Sequence, residues 1–374
     1  MSLEELGWND FFAEKSAMYI DKGWSAGRIA REQKNMYWLF SDNGEEQAVM
    51  SDKLFMSIFS SVELPAVGDW VLFRREENFE KVIIEAILPR MNKFSRKGKD
   101  SFGRNYSKRG SSDEQVISAN IDTVFMVMSL DRDFNLRKLE RYLALIWDCG
   151  SNPVIVLNKA DQCEDVENYL EEAEAVAQGM PVHVVSALEN TGIDELLKYI
   201  ESGKTVTFVG SSGVGKSSII NRIVGEEKQY VSYVREGDKR GRHTTTTREM
   251  ILLNSGGILI DNPGMRDIKL AVNEETLDRT FSDITELFSQ CKFRNCRHET
   301  EPGCAVIAAI ESGELSAERY ENYLKLQREV KFFEKRKKQR DLFIYNAQSQ
   351  QRVLDVRIKK HRRKGKKSNA EKMA

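Results

Sequence analysis

Apolar and polar positions change rhythm twice along the chain, and those changes divide it. Short β-rich runs recur over residues 34–96: Met36–Phe40, Gln47–Met50, Asp69–Phe73 and Lys81–Leu88. Turn signals at Asp42-Asn43-Gly44 and Val67-Gly68-Asp69 separate them. Short strands packed this densely predict a small barrel of the OB-fold kind. From Gln115 the rhythm becomes strand–helix. Ile121–Met128 and Pro153–Leu157 are continuous apolar runs, as expected of strands covered on both faces. Pro181–Val185, Lys204–Val209 and Gly257–Ile260 are further strand candidates. Phe134–Trp147, Asp165–Gln178 and Gly192–Ile200 read as helices between them. Past residue 274 only helical stretches remain: Glu275–Gln290, Ala305–Ser312 and Ala317–Lys338.

The expected organisation is multidomain. An N-terminal extension (1–33) carries Trp8, Phe11 and Phe12 on a short helix. The barrel (34–96) follows, then a Gly/Ser- and charge-rich stretch (97–113) read as a flexible linker. An α/β domain (114–274), a helical domain (275–338) and a basic tail (339–374) complete the chain. At 374 residues there is room for two or three cores.

Charge changes this picture more than composition does. The net charge of −1 hides an asymmetry: residues 330–374 hold sixteen Lys/Arg against four acids, so this end carries +12 and the remainder −13. A basic end on an acidic body suggests a polyanionic partner. Arg74, Arg75, Arg90, Lys93 and Arg96 of the barrel either face RNA or are ordinary surface charge. Five cysteines, an odd number with three near the C-terminus, point to reduced thiols. No apolar run reaches membrane length, and Met1-Ser-Leu-Glu-Glu-Leu6 lacks a signal-peptide pattern. The expected location is the cytoplasm.

The candidate chemistry begins at Gly210-Ser211-Ser212-Gly213-Val214-Gly215-Lys216-Ser217, followed by Ser218. It matches G-x-x-x-x-G-K-[ST] between a predicted strand and a predicted helix. Such a loop turns its backbone N–H groups inward to cradle phosphates. Lys216 would reach the β- and γ-phosphates, and Ser217 would hold Mg²⁺. Asn158-Lys159-Ala160-Asp161 lies at another strand's end. Guanine presents two adjacent donors, N1–H and the exocyclic amine, and the Asp161 carboxylate can accept from both. Asn158 would reach the opposite edge of the base, and the stem of Lys159 would cover its face. Ser186-Ala187 would offer the Ala187 N–H to guanine O6. Asp261-Asn262-Pro263-Gly264 ends a strand, placing Asp261 for Mg²⁺ and Gly264 for the γ-phosphate. The run Thr244–Thr247 supplies one more Mg²⁺ hydroxyl, from Thr245 or Thr246. These elements are those of a GTPase, but the base-reading motifs precede the phosphate loop, so the domain is expected to be circularly permuted. Separately, Cys291-x4-Cys296-x-His298-x5-Cys304 suits a structural Zn²⁺, one per chain.

With these motifs in view, the chain resembles the circularly permuted, small-subunit-dependent GTPases of the RsgA (YjeQ) family. The permuted order, Val67-Gly-Asp-Trp-Val71, Leu88-Pro-Arg90, Gln115-Val-Ile-Ser-Ala-Asn120, Gly241-Arg-His-Thr-Thr-Thr246 and the Cys/His cluster carry the resemblance. It implies an N-terminal OB-fold, a permuted GTPase domain and a C-terminal zinc domain. It further implies GTP hydrolysis stimulated by the small ribosomal subunit and its rRNA, and a late role in that subunit's maturation. The chain is expected to act as a monomer. Where Ras-like enzymes place a water-orienting Gln, this chain has Met265, and a thioether cannot do that work. His243 is the candidate water-positioning group; the alternative is a polar loop residue or an RNA contact.

Overall fold

The computed structural model describes residues 1–33, 36–58, 60–77, 79–97, 114–131, 133–177, 179–226, 248–262, 273–332 and a few positions up to 342. Residues Gly241–Thr247, with His243, Thr245 and Thr246, as well as Gly264, Met265, most of the expected linker and the tail beyond 342 lie outside them.

A closed five-stranded barrel occupies the N-terminal part. Its strands are β1 (Ser25–Gln33), β2 (Met36–Ser41), β3 (Gly44–Met50), β4 (Trp70–Arg74) and β5 (Val82–Ile87). Their order around the barrel is β1-β2-β3-β5-β4, closed by β1–β4 pairing, with β3 and β5 parallel. Ile29, Tyr37, Leu39, Val71, Phe73 and Ile84 fill the interior.

The barrel therefore starts at Ser25, inside the stretch assigned from periodicity to the extension. Strand β1 escapes that reading because Ile29 is its one large apolar residue. Gly27, Arg28, Ile29 and Ala30 are buried in succession, since β1 carries barrel core on one side and domain junction on the other. Before it, α1 (Asp10–Ser16), capped by Asn9, packs Phe12 against Trp8 and Trp70, and the short α2 (Asp52–Ser57), capped by Ser51, follows β3.

The second layer system is an α/β domain. Its strands are β8 (Thr123–Ser129), β9 (Asn152–Asn158), β10 (Val182–Val184), β11 (Thr205–Val209), β12 (Glu249–Leu252) and β13 (Ile258–Asp261). The order is β10-β9-β8-β11-β13-β12, parallel except for β12. Strand β11, which feeds the phosphate loop, lies mid-sheet although three of its strands precede it in sequence: this is the permuted order. One bridge, Arg31↔Glu249, continues the sheet into β1. Helix α3 (Leu136–Cys149) packs on one face, with α4 (Val166–Ala177). Helices α5 (Ile193–Leu197) and α6 (Lys216–Glu226) pack on the other.

The motifs shared with the barrel knit the two domains together. A ribbon of β6 (Lys93–Lys97) and β7 (Glu114–Ala119) joins them. Gly68 has φ +91, and a Cβ there would sit 2.1 Å from the Ala119 carbonyl oxygen, so only glycine allows this approach. Arg28, 1% exposed, donates to three carbonyls: Leu6 of the extension (2.6 Å), Gly68 of the barrel (3.2 Å) and Asn120 of the α/β domain (2.8 Å). Arg90 is internal as well. It grips Asp69 through two bonds of 2.7 and 2.6 Å and donates to the Val62 and Leu64 carbonyls. It is thus a brace, not part of an RNA-facing side. Arg74 is bonded to Glu85 and Glu76, and Arg75 to Glu46, so acids already neutralise both.

The C-terminal helices are α7 (Glu274–Thr280), α8 (Ser282–Ser289), α9 (Ala305–Ser312) and a helix over 317–332. The single helix expected over Glu275–Gln290 is broken at Phe281 (φ −120°, ψ 41°). That ring is fully buried against Tyr323, and turning it inward interrupts the helix. Leu277, Phe281, Tyr323 and Leu326 share one core with Leu139, Leu143 and Ile146 of α3. Among the described residues no helix is long and apolar enough to cross a membrane.

Candidate nucleotide site and metal centre

The phosphate loop spans the end of β11 and the start of α6, both positioned by buried apolar residues: Val206, Phe208 and Val209 below, Ile219 and Ile223 beyond. Ser212, Gly213, Ser217 and Ser218 are exposed. Lys216 Nζ donates to the Gly210 and Ser211 carbonyls at 2.8 and 2.6 Å, arching over its own loop. Asp261 ends β13, which pairs with β11. Burial and the nearby Glu249 push its carboxyl above the usual range, against the pull of Lys216.

The residues expected to read the base converge on this loop from the ends of β9 and β10. Asn158, 1% exposed, donates to the Val214 carbonyl at 2.8 Å and accepts the Ala187 N–H at 3.1 Å. Asn158 thus clamps the phosphate loop to the Ser186-Ala187 turn with one of the two hydrogens and one of the two lone pairs of its amide. The Ala187 N–H, expected at guanine O6, is held in the same clamp. Gly215 makes the clamp possible: a Cβ there (φ +95) would lie 2.1 Å from Asn158 Nδ2. Asp161 accepts the Ser186 hydroxyl at 2.5 Å, which holds its carboxyl below the usual range and keeps it an acceptor. So the chain brings Asn158, Asp161, Ser186 and Ala187 to the phosphate loop despite their earlier place in sequence.

Three residues not anticipated from the motifs support this arrangement. Arg222 of α6 donates to the Ala187 and Leu188 carbonyls at 2.9 and 2.8 Å. Lys138 of α3 bridges Asp133 (2.6 Å) and the Ser211 hydroxyl (3.0 Å). Asp131 accepts from Lys159 Nζ at 2.8 Å. None stands at a fixed motif spacing, so only the tertiary contacts reveal them.

The metal-ligand candidates Cys291, Cys296, His298 and Cys304 cluster with all ligand atoms within 4.8 Å of one another. A tetrahedral ion bound at about 2.3 Å by sulfur and about 2.0–2.1 Å by nitrogen sets S···S edges of about 3.8 Å and S···N edges of about 3.5 Å. Cys291 and Cys304 stand 3.9 Å apart, and each sulfur is 3.5 Å from His298 Nδ1. The cluster could therefore hold a metal ion. The His298 ring stacks on Phe288 at 4.3 Å, which fixes its plane. Between the ligands, the Glu301 carboxylate accepts the N–H groups of Arg297, Glu299 and Thr300 at 2.9, 3.1 and 3.1 Å. These bonds pull its pKa down to about 2.

The comparisons with known proteins fit this geometry. The model of the RsgA GTPase family matches residues 87–271, and that of a 50S ribosome-binding GTPase family matches residues 205–347. A "Small ribosomal subunit biogenesis GTPase RsgA 1" of Oceanobacillus iheyensis is 41% identical over 310 residues, 83% of this chain and 86% of that protein. The chain belongs to the RsgA GTPase family. An RsgA 2 of Listeria monocytogenes is 42% identical over 332 residues, 89% of this chain and 90% of that protein. Among solved structures, YjeQ from Thermotoga maritima aligns with a TM-score of 0.60 at 27% identity, covering 82% of this chain and 98% of that one. YloQ, described as a circularly permuted GTPase, aligns at 0.55 and 26%, covering 82% and 95%. As an RsgA-family member the chain is a GTP-hydrolysing enzyme with a permuted P-loop domain.

Proposed function

We propose that this GTPase binds the small ribosomal subunit and acts at a late checkpoint of its assembly, hydrolysing GTP on contact with the subunit and then leaving. The observation that carries the reading is an α/β domain with the GTPase motifs, joined to a barrel and to helices whose Cys/His cluster could hold a metal, in a chain about 40% identical to small-subunit biogenesis GTPases over most of its length. Guanine would lie against Asp161 and the Ser186-Ala187 turn, and the phosphates in the loop Gly210–Ser217. Bound Mg²⁺, held by Ser217, Asp261 and Thr245 or Thr246, would neutralise charge on the transferring phosphoryl group. Gly264 would meet the γ-phosphate, and His243 would orient the attacking water in place of the Gln that Met265 replaces. Segments ordered by the γ-phosphate lead in sequence into the C-terminal domain, so hydrolysis would loosen that domain's hold on RNA. The structural ion is Zn²⁺, one per chain, since three thiolates and an imidazole favour it. The basic tail would add contacts to rRNA phosphates. The protein would work as a monomer in the cytoplasm.

Co-sedimentation with purified small and large subunits in GDP, GTP and a non-hydrolysable analogue tests the reading. Retention on small subunits in the GTP-like state, release with GDP and subunit-stimulated phosphate release are the expected results. Equal binding in both nucleotide states, or preference for the large subunit, would refute it. A stimulated rate unchanged by His243→Ala would remove the role of that residue.

A further inference from the structure

We infer that Asp131, at the start of the β8–α3 connection, is a positioning residue for guanine-nucleotide binding, acting by holding Lys159 in its base-covering pose. The inference rests on the base-site assignment above.

Three observations meet at this point. Lys159 has φ +66, a left-handed conformation that a lysine seldom adopts. Something must hold it, and Asp131 accepts from its ammonium at 2.8 Å. Asp131 is itself fixed from beneath: the hydroxyl of Ser129, 2% exposed at the end of β8, donates to its other oxygen at 2.5 Å. Strands β8 and β9 are hydrogen-bonded neighbours whose pairing runs to Ser129↔Asn158. Sheet register therefore delivers carboxylate and ammonium to the same edge. Asp131 and Lys159 are each about one-quarter exposed on their side chains, so water screens the pair only in part.

A free lysine loses much rotamer freedom when immobilised. If Lys159 must lie across a nucleobase, a partner that holds it beforehand removes part of that cost from binding. Asp131 would thus tighten binding of any purine nucleotide without reading the base. Discrimination belongs to Asp161, whose carboxylate is oriented by Ser186. The ion pair predicts a separation of roles: affinity from Asp131, selectivity from Asp161.

The test is titration of the full chain with fluorescent GDP, together with GTP and ITP turnover. Inosine lacks the exocyclic amine. Asp131→Ala is expected to raise the GDP Kd and the GTP KM roughly five- to tenfold, with kcat and the GTP-over-ITP preference unchanged. Lys159→Ala should do the same, and the double variant should be no worse than either single one. Asp131→Asn keeps the shape and removes the charge, and should give a smaller loss in a folded protein. Unchanged or tighter GDP binding in the Asp131 variants, or losses that add in the double variant, would overturn the inference. Asp161→Ala separates the two levels. If it leaves the GTP-over-ITP preference intact, the base-site assignment itself fails. If it abolishes the preference while Asp131→Ala changes nothing, only the role of Asp131 fails.

Discussion

Single residues in this protein are strained or buried where the chemistry needs them. Asp261 is the clearest case. Its carboxyl titrates above the ordinary aspartate value because of burial and the Glu249 charge. The folded state therefore binds this proton more readily than the unfolded chain. The ionised carboxylate costs stability above its folded pKa, and the cost lifts as pH falls through that value toward 3.8. Asp261→Asn should raise the Tm of the nucleotide-free protein at neutral pH, with the gain shrinking on acidification. It should also lower Mg²⁺-dependent GTP turnover about tenfold or more. Thermal scans across pH with phosphate-release assays check both halves. Glu301 is the opposite case. With its pKa near the acid extreme, at about 2, it keeps its three backbone bonds at any pH where the thiols bind metal. Glu301→Gln, with weaker acceptors, should cost roughly tenfold to a hundredfold in metal affinity, measured by chelator competition.

At the scale of elements, helix α3 links the phosphate loop to the C-terminal helices. Its Lys138 reaches the phosphate-loop Ser211, and Asp148 accepts from Asn273 and Thr276 of α7. Glu140, fully buried, accepts from Asn322 at 2.5 Å and pairs with Arg319 and Arg137. Arg319 in turn bonds Asp283 at 2.7 and 2.8 Å. Losing the buried acceptor Glu140 costs the charge-assisted bonds to it, about 1.5–3 kcal/mol, because Arg319 keeps Asp283 and Arg137 keeps Glu318. Glu140→Ala should therefore destabilise the 317–332 helix and α8 by roughly that amount. Hydrogen exchange should show the loss there first, with β8, β9 and β11 protected as before. Uniform exchange across both regions would contradict this local assignment. Helix α3 was legible in the sequence from its apolar stripe, but its partners were not. Glu140 is an unremarkable acid on a helix until Arg319 and Asn322, well over a hundred residues later in the chain, close over it.

For the whole molecule, the decisive feature is how the barrel is fastened to the α/β domain. Arg28 ties extension, barrel and α/β domain through three carbonyls, and burial lowers its pKa to about 10, so it remains charged at neutral pH. Arg28→Ala would orphan those carbonyls. It should cost about 3 kcal/mol or more and uncouple the domains, seen as a second transition in denaturant unfolding and faster proteolysis before residue 120. A single, slightly shifted transition would show that other contacts hold the junction. Much of the architecture could be read without coordinates. Strand and helix periods, the fixed glycines and the Cys/His spacing are local, because they encode backbone conformations and ligand types that neighbours in sequence must supply. Strand β1 and the break at Phe281 were hidden because tertiary packing overrode local pattern: a buried arginine replaced an apolar residue, and a buried ring interrupted a helix. The sequence by itself determined that a phosphate-loop motif, an Asn-Lys-x-Asp motif and a Cys/His cluster exist, and that the first two occur in permuted order. Only the folded structure decided that Asn158 clamps the phosphate loop, that Arg90 braces the barrel and that Asp131 and Lys138 stand beside the site, because such partnerships depend on distance in space, which no local pattern records.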